Sequence, residues 1–87
     1  MKIYTVKIDD QGTKRWFFKG KLHNENGPAE EFANGTKCWF INDQLHNENG
    51  PAIVLNNGLK RWFLSGVEYT KKQFDEIITI KKEKHGN

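Results

Sequence analysis

The sequence predicts a mainly β chain: an antiparallel meander of three repeated β-hairpins, about six strands, closed by one C-terminal α-helix. Three observations carry this prediction. The string LHNENGPA at Leu22 to Ala29 recurs unchanged at Leu45 to Ala52, an offset of 23. The same offset aligns Thr13 to Phe18 (TKRWFF) with Thr36 to Ile41 (TKCWFI) and Leu59 to Leu64 (LKRWFL), while Gly12, Gly35 and Gly58 mark the phase. After Tyr69 the apolar spacing changes to Phe74, Ile77 and Ile78, which is one face of a helix. Repeats of this length bury together a core that one unit could not bury alone.

Each unit reads as a hairpin. Asn34-Gly35 and Asn57-Gly58 suit type I′ turns, which place both central residues at φ > 0. Gln11-Gly12 holds the same phase with a poorer turn residue. Before each turn lies a short apolar-rich segment: Ile3 to Asp9, Ala29 to Ala33, Ala52 to Asn56. After each lies an aromatic strand: Thr13 to Lys19, Thr36 to Asn42, Leu59 to Ser65. The Asn-Glu-Asn-Gly-Pro stretch then reverses the chain, with Pro28 and Pro51 at strand starts because proline cannot donate to a ladder. The units span about residues 1–23, 24–46 and 47–69. Thr70-Lys71-Lys72-Gln73 is a capping box, and Tyr69 and Phe74 hold the positions of a hydrophobic staple. Lys81, Lys82 and Lys84 cluster where the helix dipole favours cations. A helix is expected over about Lys71 to Glu83, with His85-Gly86-Asn87 frayed.

Length and composition narrow the class. Eighty-seven residues make a single domain, which buries about 60% of its unfolded surface and folds with little margin. Fourteen Lys and Arg against eleven Asp and Glu give +3, a mildly basic chain. Three Trp, two Tyr and six Phe must supply most of the core, since rings carry large apolar areas. A single Cys excludes an internal disulfide framework and a Cys-based zinc site, and fits a reducing cytoplasm. No apolar run approaches ~18 residues, so no membrane span is expected. Met1-Lys2-Ile3-Tyr4 lacks the apolar stretch of a secretion signal. The expected location is therefore cytoplasmic.

Alternation puts Lys14, Trp16 and Phe18 on one sheet face and Thr13, Arg15 and Phe17 on the other. The repeat lines these up as Trp16, Trp39, Trp62 beside Lys14, Lys37, Lys60, and as Phe17, Phe40, Phe63 beside Arg15, Cys38, Arg61. Both faces then carry rings and cations, whereas a lone sheet with one core leaves one face polar. Two readings compete. In one, both rows are packing surfaces, one under the helix and one in a homodimer interface, and the lysines are solvated edge protection. In the other, the cations contact phosphates and exposed rings stack on bases. The candidate RNA-binding cations are Lys14, Arg15, Lys37, Lys60 and Arg61 on the sheet, with Lys71 and Lys72 at the helix start. Trp16, Trp39 and Trp62 are candidates for base stacking or for an interface.

His23 and His46 sit in identical loops, each followed by Asn, Glu and Asn, and Tyr69 takes the third position. A structural loop must recur in every repeat, whereas a catalytic site is rarely duplicated. The His and Asn side chains are therefore expected to satisfy loop backbone groups. A small RNase using both histidines is the competing idea; intact RNA after incubation with the protein would exclude it. No carboxylate-rich cluster accompanies the two His, so no metal site is expected. Cys38 aligns with Arg15 and Arg61 and reads as a small buried apolar residue. No phosphate loop, serine elbow or Cys-His signature appears, and no cofactor or catalytic residue is assigned.

G-x-K-x-W-F followed by L-H-N-E-N-G-P-A every 23 residues resembles the MORN-like repeats of bacterial, phage and giant-virus proteins, over about residues 5–69. Such loops often read L-H-R-x-x-G-P-A; here Asn24 and Asn47 stand where Arg is common, which removes two cations. The resemblance implies a scaffold or binding module rather than a particular activity. The small basic chain with a lysine-rich C-terminal helix also resembles T4-like phage inhibitors of the endoribonuclease toxins of type III toxin–antitoxin systems. That resemblance implies a non-catalytic counter-defence protein that binds RNA and the toxin endoribonuclease together in the host bacterial cytoplasm. The alternative is a protein-interaction or oligomerisation module with no nucleic-acid role.

Overall fold

The computed structural model describes residues 1–85. Strands β1 (Thr5–Ile8) and β2 (Lys14–Phe18) pair antiparallel from Thr5↔Phe17 to Ile8↔Lys14. The pattern returns with β4 (Glu30–Glu31) and β5 (Lys37–Cys38), and with β8 (Ile53–Val54) and β9 (Lys60–Leu64). In all three hairpins the loop has the same bonds. Gly12, Gly35 and Gly58 donate to the carbonyls of Asp9, Phe32 and Leu55 at 3.1, 3.0 and 2.9 Å.

These loops are not the type I′ turns expected at Asn34-Gly35 and Asn57-Gly58. Only the glycines have positive φ, at 85°, 95° and 92°, whereas Asn34 and Asn57 do not. Each is a longer loop that ends in a left-handed glycine, the bulged form of hairpin. The asparagine acts through its side chain instead. Asn34 Oδ1 accepts from the Thr36 amide at 2.9 Å, and Asn57 Oδ1 from the Leu59 amide at 3.0 Å. In the first loop Asp9 Oδ1 does this work, accepting from Gln11 and Thr13 at 3.0 and 2.9 Å. That is why Gln11 is tolerated there.

The true type I′ pairs lie at the other end of each unit. Lys19-Gly20 (φ 53° and 80°), Asn42-Asp43 (49° and 67°) and Ser65-Gly66 (49° and 83°) again follow the 23-residue offset. They join β2 to β3 (Lys21–Leu22), β6 (Phe40–Ile41) to β7 (Gln44–Leu45), and β9 to β10 (Val67–Tyr69). Every unit therefore holds two hairpins, and the described residues form ten short strands rather than about six. The expected strands at Ala29 to Ala33 and Ala52 to Asn56 shrink to two residues each.

The sheet runs β1-β2-β4-β5-β8-β9-β10, with β3 beside β2, and β6-β7 forms a separate ribbon. The tryptophans lie in a row across it, but not ring on ring. The Trp16 amide donates to Ala29 O and the Trp39 amide to Ala52 O, both at 2.8 Å. Ala29 and Ala52, both 0% exposed, thus separate one Trp strand from the next. Large and small side chains alternate along the row, so each alanine of LHNENGPA is fixed by the rings on either side.

Helix α1 (Lys71–His85) packs on β9 and β10. Its capping box is formed: the Thr70 amide donates to Gln73 Oε1 at 2.9 Å and the Gln73 amide to Thr70 Oγ1 at 3.1 Å. Phe74 is buried, and Tyr69, Ile77 and Ile78 are half-buried. The helix runs two residues past the expected end, because Lys84 and His85 carry no breaker. His85 is helical, and the fraying expected of Gly86-Asn87 lies outside the described residues. The buried apolar residues are Ala29, Cys38, Ala52, Phe63 and Phe74. With a thinnest dimension of 17 Å, the molecule is a single sheet layer edged by a helix, and much ring surface stays half-exposed. Among the described residues no helix is long and apolar enough to cross a membrane.

Candidate nucleic-acid interface

Register divides the seven predicted cations among three places. Lys14 faces Glu31, Glu31 faces Lys37, Lys37 faces Val54, and Val54 faces Lys60. Lys14, Lys37 and Lys60 therefore form one row on the Trp face, at every second strand and so about 10 Å apart. Lys14 Nζ lies 5.3 Å from the centroid of the Trp16 ring, a cation–π distance. Lys37 and Lys60 are exposed. Half-buried Trp16, Trp39 and Trp62 sit two residues further along the chain, Trp16 and Trp62 within β2 and β9 and Trp39 between β5 and β6.

Arg15 and Arg61 lie on the opposite face, and both are paired. Arg15 Nε donates to Glu30 Oε2 at 2.8 Å, directly across the sheet, and a second nitrogen reaches Asp9 Oδ2 at 3.2 Å. Arg61 grips Glu68 with two bonds, at 2.7 and 2.8 Å, and its guanidinium lies 5.4 Å from the Phe63 ring centroid. The Glu68 carboxyl is held below its ordinary range by the Arg61 bond. The Asp9 carboxyl is lowered first by the Thr13 amide, then by the Gln11 amide and Arg15. Both Arg charges stay firmly on, but they are already matched by carboxylates. Between them in the same row lie Cys38 and Ile53. Cys38 is buried, and burial raises its thiol above the ordinary range, so it behaves as the apolar residue its position suggested.

On the first turn of α1, Lys71 pairs with Asp75 at 2.8 Å, whereas Lys72 is exposed. Further along, Lys81 reaches Glu48 at 3.2 Å, which lowers that carboxyl and ties the helix to the second HNENG loop.

The histidine loops carry bonds that hold the fold. His23 Nδ1 accepts from the Asn42 amide at 3.1 Å, and His46 Nδ1 accepts from the Ser65 amide at 2.8 Å. Each His thus holds the type I′ turn of the following unit, whose left-handed first residue turns its N–H toward the ring. The third unit has no successor, and there Tyr69 replaces His. The other ring nitrogen faces a carboxylate, Glu25 at 3.0 Å and Glu48 at 3.3 Å. Since Nδ1 accepts from a backbone donor, the neutral ring carries its proton on Nε2. Burial, then the nearby Lys2 charge, pushes the His23 pKa down. The first Asn of each loop closes it: Asn24 Oδ1 accepts from Asn26 N at 3.0 Å while its amide donates to Pro28 O at 3.1 Å. Asn47 repeats this with Asn49 and Pro51 at 3.0 and 2.9 Å. Among the described residues no group of three or more His, Cys, Asp or Glu is placed to hold a metal.

No family model, curated protein or solved structure matches this chain. What the site can do is read from its own geometry. One face offers three evenly spaced lysines beside half-exposed indoles. The other offers rings and arginines that are already paired.

Proposed function

We propose that this protein is a non-catalytic RNA-binding module that holds a toxin endoribonuclease in an inactive complex with RNA, as the resemblance to phage inhibitors implies. One observation carries the RNA half of this reading: the Lys14, Lys37 and Lys60 row on the Trp face, with Lys37 and Lys60 exposed and making no ion pair among the described residues. Lysines in such a row contact phosphates as point charges, so binding is sequence-tolerant and salt-dependent. Lys72, exposed at the start of α1, is a further candidate contact. Arg15, Arg61 and Lys71 contribute less, because recruiting them for phosphate requires breaking ion pairs.

The mechanism is tethering. RNA that touches both proteins raises the effective concentration of each near the other without a large direct interface. A homodimer would double the RNA-binding rows and let such complexes grow. Exposed Val6 and Ile8 in the edge strand β1 provide apolar area for it, at the cost of covering the adjoining Lys14. The experiment is to mix protein and toxin with and without RNA, and to measure particle size and nuclease activity. Inhibition and large particles are expected only with RNA. Full inhibition in RNA-free mixtures would replace tethering with direct occlusion of the nuclease.

A further inference from the structure

The first two units differ in what covers their tryptophan. In the first, the Tyr4 ring lies 5.9 Å from Trp16 at 76°, 5.6 Å from Phe18, and 6.2 Å from His23 at 24°. The 23-residue offset turns those three neighbours into Trp39, Ile41 and His46. One residue beyond the Thr5↔Phe17 pair, Tyr4 stands opposite Phe18; 23 residues on from Tyr4 the chain has Gly27. Glycine has no ring to put there. A cavity of about 380 Å³ lies over Trp39, Ile41 and His46, walled by the two HNENG loops. The second unit thus keeps, unfilled, a site that in the first unit holds a six-membered aromatic ring.

Its charges point to the class of ring. The wall carboxylates are already matched: Glu25 pairs with Lys2, and Glu48 with Lys81 at 3.2 Å. Two residues back along the chain from Trp39, about 7 Å away on the same face, stands Lys37 in the basic row. Under the RNA-binding reading, a flat ring attached to an anion at that distance is a nucleotide. We propose that the cavity over Trp39 takes one unpaired nucleobase, with its phosphate on Lys37. The inference rests on the RNA-binding reading above and adds which ring receives a base. The base stacks or meets Trp39 edge-on, and its N–H edge faces the Glu25 and Glu48 oxygens. Trp16 takes no base, because Tyr4 is seated on it.

The test uses the full chain with its three Trp indole N–H signals assigned by NMR. The probes are an oligoadenylate hexamer, an abasic hexamer of the same charge, and a peptide of residues Met1 to Val6. Oligoadenylate is expected to shift the Trp39 indole and the Lys37 amide, leaving Trp16 in place, while the abasic probe shifts Lys37 alone. Trp39→Ala should weaken oligoadenylate about five- to a hundred-fold and leave abasic binding unchanged. Should that variant not fold, the wild-type shifts decide. Equal effects of both hexamers would overturn the base site while sparing the RNA reading. Silence from both at low salt would overturn the two together. A Trp39 shift caused by the peptide and not by oligoadenylate would make the cavity a protein-binding pocket and refute the proposal.

Discussion

Replacing Asn24 by Ala removes two bonds that close the first HNENG loop, to Asn26 N and from the Asn24 amide to Pro28 O. Each such bond is worth about 0.5–1.5 kcal/mol net, and Asn24 is only 9% exposed, so water replaces them poorly. The expected loss is about 2 kcal/mol, a large share of the roughly 5–15 kcal/mol that holds a domain. For a chain of this size that corresponds to a fall in Tm of about 8–16 °C. Asn47 makes the same bonds but is half-buried, so Asn47→Ala should cost about 1 kcal/mol. Asn24→Asp keeps the acceptor for Asn26 N but sets a carboxylate against the Pro28 carbonyl, and should be no better than Ala. Asn24→Arg loses both bonds. Urea unfolding followed by Trp fluorescence measures all four. If Asn24→Ala stays within about 0.5 kcal/mol of the parent, the asparagines do not close these loops.

Two further outcomes follow from the packing and the histidines. Ala52→Leu forces a side chain between the Trp39 and Trp62 strands and should destabilise by about 1–3 kcal/mol; an unchanged urea midpoint would show that the row is loosely packed. The folded-state pKa of His23 lies below the unfolded value of about 6.5, so the neutral ring stabilises fully above that value. This contribution is lost as pH falls through the folded pKa. His23→Gln should therefore flatten the dependence of Tm on pH just below about 6.5, and an identical pH profile for both proteins would contradict it.

Much of this architecture was legible in the residues. The repeat, its phase, the faces of the aromatic strands and the capping box of α1 all follow from local spacing. The second hairpin of each unit was written there too, in Lys19-Gly20, Asn42-Asp43 and Ser65-Gly66 at the same offset. Asn34-Gly35 and Asn57-Gly58 mask it, because they resemble the two-residue turn so strongly. Loop length, not the dipeptide, decides between the two forms. The histidine partners were not legible: the donor to His23 sits 19 residues on, in the turn of another unit. The pairing of Arg15 with Glu30 and of Arg61 with Glu68 needs the strand register, which alternation alone does not supply. The cavity over Trp39 needs the fold as well, since only the packing of Tyr4 on Trp16, Phe18 and His23 shows what the second unit lacks.

The central claim is that RNA is bound by the lysine row of the Trp face. Fluorescence anisotropy of a labelled single-stranded RNA, titrated between about 50 and 200 mM salt, tests it directly. Each phosphate contact on a single strand contributes about 0.7 to the slope of log affinity against log salt. Lys14→Ala/Lys37→Ala/Lys60→Ala should therefore bind more weakly at low salt with a slope shallower by about 2. Arg15→Ala/Arg61→Ala, whose cations are already matched by Glu30 and Glu68, should change the slope much less. A triple lysine variant that folds and binds RNA with the parent affinity and slope would contradict the account.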